Sequence, residues 1–243
     1  IHYWEYLYSL SKWILEDSQQ SIQSLTIAFK LLIQRYKDSL KMVEIFEEIS
    51  RTLIHSYILI GNNYAALDFA RHYGNSIQKL YLTDNSKWLC KYIAALIELN
   101  TTVILNGRVD DGLNIIQEAI KSYKKTDSKL FLCEKEYLSL IIAASATYSK
   151  NSKHDRAIDF SKEAVSLASN NYKTNKDKWG EEYIQSLGML ASVKTNSQAE
   201  INDILEVRDK ALIVSEEMFN QDNVKYLDSY VDAILGMART LKC

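Results

Sequence analysis

The segment NGRVDDGLNIIQEAI, residues 106–120, begins with a turn-forming dipeptide and continues into a stretch with helical spacing. Five of its apolar and aromatic positions, extended to the next turn, recur at steps of three and four residues: Val109, Leu113, Ile116, Ile120 and Tyr123. They follow one stripe of a helix with 3.6 residues per turn. A later segment, SKHDRAIDFSKEAV at 152–165, carries small and apolar residues in the same order. The pair of segments therefore predicts a repeated amphipathic helix.

The repeat extends over most of the chain. Its frame is set by two positions seven residues apart, at Ala66/Tyr73, Gly112/Ala119, Ala157/Ala164 and Ile204/Ala211, with a fainter copy at Ser21/Ala28. The first positions of the four clear copies are separated by 46, 45 and 47 residues. A fixed period between 20 and 50 residues is typical of a solenoid, in which each repeat packs only on its neighbours.

Composition favours an all-α protein. The 243 residues include no proline and only seven glycines, whereas average usage would supply about twelve prolines. The residues that interrupt helices are therefore scarce. We expect an α–α superhelix of about five helix pairs plus a terminal helix, roughly eleven helices in all. The second helix of a pair is expected to begin after Gly61, Gly107, Ser152 or Ala199.

The chain is expected to form one solenoid over residues 1–243 and to be a piece of a longer protein, because it lacks an initiator methionine. Tyr3, Trp4, Tyr6, Tyr8 and Trp13 could then form a face that stacks on a preceding repeat. No apolar run reaches the length of a membrane span. The net charge of −2 and the pI near 6.1 argue against a nucleic-acid partner.

The three cysteines are widely spaced and form no CxxC motif. The sequence therefore predicts that Cys90, Cys133 and Cys243 are free thiols in a reducing compartment, which indicates an intracellular, cytoplasmic protein.

The repeat resembles the second half of a tetratricopeptide repeat. The match is best at Gly107, Gly112, Ile116 and Ala119, and at Ala157, Phe160 and Ala164, while Tyr57 and Tyr148 match a tyrosine late in the first helix of that family. The usual helix-ending proline is missing and the period exceeds 34 residues, which is similar to the long repeats of kinesin light chains. The resemblance implies a fold that binds proteins and does not identify a partner.

Motifs for catalysis, cofactors or metals are not found: there is no phosphate loop, no GxSxG and no HExxH. The one candidate acid–base cluster is His55 with Glu48 and Arg51, and we interpret it as an ordinary helix surface. The sequence thus predicts a protein that is not an enzyme and holds no cofactor or metal.

The resemblance places a partner-binding groove on the first helix of each pair. Its lining maps to Ala94, Ile97, Thr101, Ile104, Ser139, Ile142, Ala146, Ser149, Ser186, Met189, Val193 and Asn196. This lining is small and apolar with interspersed hydroxyls, so we expect a helical or extended segment of a partner protein, or of missing regions of this chain. The lysines and asparagines that co-chaperone repeats use to hold a terminal carboxylate are largely absent.

The leading hypothesis is a non-enzymatic scaffold or adaptor. Two alternatives remain: a peptide-responsive regulator built from tetratricopeptide repeats, and the regulatory solenoid arm of a large enzyme such as a separase-like protease.

Overall fold

The computed structural model describes residues 18–34, 40–125 and 133–242. Within these ranges it contains ten α-helices: α1 (Ser18–Leu32), α2 (Leu40–Leu59), α3 (Asn63–Thr83), α4 (Asn85–Leu105), α5 (Val109–Lys125), α6 (Glu134–Lys150), α7 (His154–Thr174), α8 (Lys176–Asn196), α9 (Ile201–Gln221) and α10 (Leu227–Thr240). The all-α prediction is confirmed, and no strand occurs in the described ranges. The aromatic cluster from Tyr3 to Trp13 and the helix expected there lie outside them.

The chain divides into two compact units. Unit 1 comprises Ile1–Cys133 and contains α1 to α5, and unit 2 comprises Glu134–Cys243 and contains α6 to α10. In both units the main contacts join helices that follow each other in sequence. This pattern is the local packing expected of helical repeats. That both units belong to one continuous solenoid stays a prediction.

The turn inside each helix pair has the same backbone form in all four places where it is described. One residue, Gly61, Gly107, Ser152 or Gln198, has a positive φ of 56 to 77°. At Gly107 its N–H donates to the Ile104 carbonyl at 2.9 Å, and the next N–H, of Arg108, reaches Val103 at 3.1 Å. These two bonds satisfy carbonyls that the helix end would leave without donors. The second helices therefore begin where the sequence predicts.

Two of the turns between successive pairs, after α3 and α7, are single residues, and the turn after α9 spans residues 222–226. Asp84 and Asn175 are extended single residues that join one helix to the next, and Asp222 is the extended residue that ends α9. The side-chain oxygen of each accepts a hydrogen bond from the backbone N–H three residues later, at 2.9 to 3.0 Å. At Asp84 and Asn175 this bond satisfies one of the free donors at the start of the next helix, whereas the Asp222 bond lies in the turn before α10, whose own start has no side-chain cap. Around α3 to α4 and α7 to α8, the described turns thus alternate between a left-handed residue inside a pair and a single capping residue between pairs.

The small residues of the repeat frame lie where helices cross. Ala66, Ala119, Ala157 and Ala164 are fully buried. A Cβ at Gly112 would lie 2.8 Å from Ile104 Cγ1, so α5 approaches α4 at a distance that a side chain would prevent. Tyr57 stacks on Phe69 and Tyr148 packs on Phe160, both at 5.4 Å between ring centroids. The positions quoted for the family resemblance therefore serve packing inside each pair.

The cysteine prediction is wrong for one pair of residues. Cys90 on α4 and Cys133 form a disulfide within unit 1, with a Cα–Cα distance of 5.4 Å that suits such a bond. The two residues are 43 positions apart, so no local motif signals the pairing. Disulfides are rare in the cytosol, and the cytoplasmic expectation loses the support that it drew from free thiols. Cys243 lies outside the described residues.

Helix α4 is long and apolar enough, by length and composition alone, to cross a membrane. In unit 1 it packs against α3 and α5, and 56% of its most apolar window is buried. A core helix passes the same test, and the burial of α4 assigns it that role.

Candidate functional site

The first helices of successive pairs lie side by side in each unit. In unit 1, Arg51 on α2 pairs with Glu98 on α4 at 2.8 Å, and Lys91 pairs with Glu47 at 2.5 Å. In unit 2, Lys135 on α6 pairs with Glu182 on α8, and Asn196 donates to Ser149 Oγ at 3.1 Å. We call these two surfaces, α2 with α4 and α6 with α8, the first-helix surfaces. They are where the sequence predicts the groove.

Glu98 is a buried charge beneath the first-helix surface of unit 1. Its carboxylate is only 8% exposed and contacts both Arg51 Nε and His55 Nε2, the latter at 3.1 Å. The Arg51 and His55 side chains are about half exposed. A buried carboxylate thus holds two cationic side chains that remain accessible from solvent.

The protonation of this cluster follows from its contacts. Burial alone would raise the pKa of Glu98, but the hydrogen bond from His55 and the nearby positive charges lower it below its ordinary value of 4.5. The hydrogen bond to Glu98 raises the pKa of His55 above 6.5 against the opposing effect of burial. Glu98 is therefore ionised at neutral pH, and His55 holds a proton more readily than an isolated histidine.

The candidate cluster that the sequence analysis interpreted as an ordinary helix surface named Glu48 as its carboxylate, and the structure places another there. His55 and Arg51 do lie together, but the group that bonds both is Glu98 rather than Glu48. Glu47, one residue before Glu48, is also buried. Arg51 and Glu98 are 47 residues apart. The pairs Lys135–Glu182 and Ser149–Asn196 have the same separation. A search for complementary side chains one repeat period apart could therefore have found these contacts from the sequence.

The predicted groove stripe in unit 1 lies at the surface of α4. Thr101 is exposed, and Ala94, Ile97 and Ile104 are half-buried. The Ile104 side chain also packs over Gly112 of α5, so it belongs partly to the contact within the pair. The stripe that stays accessible is therefore Ala94, Ile97 and Thr101, which runs beside Glu98.

The predicted stripe in unit 2 is only partly accessible. On α6, Ser139 is exposed and Ile142 and Ala146 are half-buried, with Ile142 packed against the unit's core. Ser149 is buried, as are Ser186 and Val193 of α8. These three positions do not line an open groove, and the prediction is corrected there.

The reason is a rotation of α8 relative to the frame assumed from sequence. Met189 is half-buried and Asn196 is exposed as expected, but Gln185 and Ser192 are exposed in place of Ser186 and Val193. Each lies one residue before a predicted position, which corresponds to about 100° around a helix. A one-residue error in the frame is enough to exchange an open position for a buried one.

The first-helix surfaces carry few kinds of side-chain chemistry. They present methyl groups, hydroxyls and a few fixed charges, and the nearest titratable cluster is tied up in ion pairs. Among the residues that the structure describes, no group of three or more His, Cys, Asp or Glu side chains could hold a metal ion.

No protein-family model and no curated protein sequence matches the chain. Solved structures do. A putative kinesin light chain of Podospora anserina with TPR-like repeats superposes with a TM-score of 0.62 at 12% identity, over 89% of this chain and 96% of that one. BtubC from P. vanneervenii gives 0.65 at 14% identity, over 93% and 90% of the two chains. The apo form of RapI gives 0.63 at 12% identity, over 92% of this chain and 74% of RapI.

At this level of identity the likeness concerns the fold alone, and it extends over about nine-tenths of the sequence. Together with the repeated turns and the buried small residues, it identifies the architecture. The chain has the TPR-like fold of helical-repeat proteins.

Proposed function

We propose that the chain is a non-enzymatic scaffold that binds a polypeptide segment of a partner on its first-helix surfaces. The observation that carries the proposal is the accessible stripe of Ala94, Ile97 and Thr101 beside the buried Glu98 carboxylate. Helical-repeat proteins use such surfaces for extended or helical segments of other proteins.

The chemistry of the stripe selects the kind of segment. Half-buried Ala94 and Ile97 offer a shallow apolar contact, and Thr101 has already donated its hydroxyl to the Ile97 carbonyl at 3.0 Å. Arg51 and His55 flank this contact with accessible donors. A segment with an apolar face and acceptor groups along one edge complements this arrangement.

Selection from a displayed library of 15-residue peptides tests the proposal, because the library samples many segments without a partner having been identified. Enriched peptides are titrated by fluorescence anisotropy against the parent chain, Ile97→Asp and Leu82→Asp. Leu82 is 72% exposed at the end of α3, so it is a matched apolar control away from the stripe. We expect Ile97→Asp to weaken binding about tenfold or more, since it places a charge in an apolar contact.

Circular dichroism and a thermal melt must first show that both variants are folded. The scaffold proposal fails if no peptide is enriched, or if every enriched peptide binds Ile97→Asp and the parent with equal affinity.

A further inference from the structure

A cavity of about 250 Å³ lies within unit 2 among α8, α9 and α10. Its walls carry two guanidinium groups, Arg208 of α9 and Arg239 of α10, beside Asn196 and the apolar Ile201 and Ile204. Three hydroxyl side chains complete the lining.

Arg208 stands at a position that belongs to the core in the other repeats. It follows the first frame position, Ile204, by four residues, and the equivalent residues are Ala70, Ile116 and Ser161. All three are fully buried. An arginine at this place puts a charge where the fold elsewhere packs small or apolar side chains, which costs stability unless the charge is compensated.

That compensation is missing in the part of the chain that the structure describes. The Arg208 Nε is buried without a hydrogen-bond partner. Burial, and then repulsion from Arg239, lower the pKa of Arg208. Glu181, Asp228 and Asp232 line an adjoining cavity that also reaches Arg208, yet Arg208 forms no ion pair with a described carboxylate.

The backbone leaves room for this guanidinium. A Cβ at Gly236 of α10 would lie 2.7 Å from Arg208 Nη1. The glycine thus lets α10 approach the arginine more closely than any other residue would.

The polar groups of the wall favour an acceptor as ligand. Ser192, Thr195 and Thr240 each donate their hydroxyl to a carbonyl of their own helix, at 2.8 to 3.0 Å. The strongest donors in the wall are the guanidiniums, whose planar forks match the oxygens of carboxylates and phosphates. The apolar Ile201 and Ile204 reduce the local dielectric, which strengthens such a contact.

We propose that this cavity binds an oxyanion group, a carboxylate or a phosphate, through the Arg208 guanidinium, with Arg239 as a second positive charge in the wall. The group neutralises the half-buried Arg208 guanidinium, whose Nε is inaccessible and has no hydrogen-bond partner. If the oxyanion belongs to a bound polypeptide, it is a side-chain or terminal carboxylate of the partner, and this last assignment alone rests on the proposed function.

Thermal melts of the full chain in sodium phosphate, sodium acetate and sodium chloride at matched ionic strength test the site. The variants are Arg208→Met, which replaces the charge by an apolar chain, and Arg208→Lys, which keeps the charge without the fork. Arg156→Met is the control, because Arg156 is exposed on α7 of the same unit. At an anion concentration ten times Kd, the Tm of the parent and of Arg156→Met should rise by about 3–6 °C beyond the rise in chloride.

Phosphate stabilises folded proteins in general, so the decisive quantity is the difference between variants. Arg208→Met should melt higher than the parent without anion and show no rise beyond chloride, and Arg208→Lys should need at least about fivefold more anion. A rise in both acetate and phosphate supports a carboxylate source, and a rise in phosphate alone supports a phosphate ester.

Two results would overturn the oxyanion site. One is a Tm of the parent that rises as much in chloride as in acetate and phosphate, and the other is an equal rise of Tm in Arg208→Met and the parent. The peptide titrations concern Ile97 in unit 1, so the failure of either proposal can be told from failure of the other.

Discussion

Glu98 shows how a single buried side chain organises the first-helix surface of unit 1. Its carboxylate bonds Arg51 and His55 of the preceding pair and is itself almost inaccessible. Removal of one partner from such a buried ion pair leaves the others without compensation. The protonation of His55 should therefore depend on Glu98 and on no other carboxylate to a comparable degree.

We predict that Glu98→Gln lowers the pKa of His55 from its raised value toward 6.5, as measured by NMR titration of the imidazole. The reason is the loss of the hydrogen bond to a charged acceptor, which contributes most to the shift. Glu48→Gln is the control, since the sequence alone assigned that residue to the cluster. An equal pKa of His55 in Glu98→Gln and the parent would contradict the structure.

The same shift has a consequence for stability. The pKa of His55 is raised in the folded state, so its contribution is fully present below about pH 6.5 and is lost as the pH rises through the folded pKa. The stability difference between the parent and His55→Asn, followed by urea unfolding, should therefore shrink toward alkaline pH. Because His55 is half exposed, solvent screening keeps the effect small.

At the scale of elements, the turns inside the pairs use one backbone conformation with different residues. Gly61 and Gly107 adopt the positive φ without strain, whereas Ser152 and Gln198 adopt it with a side chain. The left-handed conformation costs about 1–2 kcal/mol for a residue with a Cβ. The fold tolerates this cost because the two capping hydrogen bonds are present in all four turns.

Ser152→Gly should raise the free energy of unfolding by about 0.5–1 kcal/mol, because relief of the strain exceeds the added entropy of the unfolded chain. Gly107→Ser should lower it by a similar amount. Urea unfolding with a common m-value measures both changes. Ser197→Gly is the control, because Ser197 lies one residue before the left-handed Gln198 and has a negative φ. If Ser152→Gly destabilises the protein, the shared turn geometry is wrong.

At the scale of the whole molecule, the disulfide joins Cys90 of α4 to Cys133, the last residue of unit 1. It joins residues 43 positions apart, and a loop of that length corresponds to about 4 kcal/mol in the chain-entropy description. In this description the bond stabilises the fold mainly because it reduces the conformational entropy of the unfolded chain.

Thiol titration of the denatured, unreduced protein should find one reactive cysteine rather than three. Under oxidising conditions, the Tm of Cys90→Ser should be lower than that of the parent and should not change when reductant is added. Cys243→Ser is the control and should melt like the parent. Three reactive thiols, or equal melts of Cys90→Ser and the parent, would show that the bond does not form in solution.

Much of the fold could be predicted because helical repeats are specified locally. The apolar spacing of Val109 to Tyr123, the turn at Gly107 and the small residue Ala119 all lie within one repeat, and each has its effect within about twenty residues. The candidate surface was predicted less well, because the rotation of a helix about its axis decides which of its residues are accessible. On α8 a shift of one residue buried Ser186 and Val193 and exposed Gln185 and Ser192.

The amino-acid sequence by itself determined the all-α class, the period and the start of each second helix, because hydrogen bonds within helices and turns join near neighbours in the chain. Only the tertiary structure decided that Glu98 bonds Arg51 and His55, that Cys90 meets Cys133, and that Arg208 and Arg239 line one cavity. The residues brought together in this way are 31 to 47 positions apart in the sequence. These arrangements depend on how one helix pair is rotated against the next. A repeat pattern in the sequence does not specify that rotation, because the packing of large against small side chains between the pairs determines it.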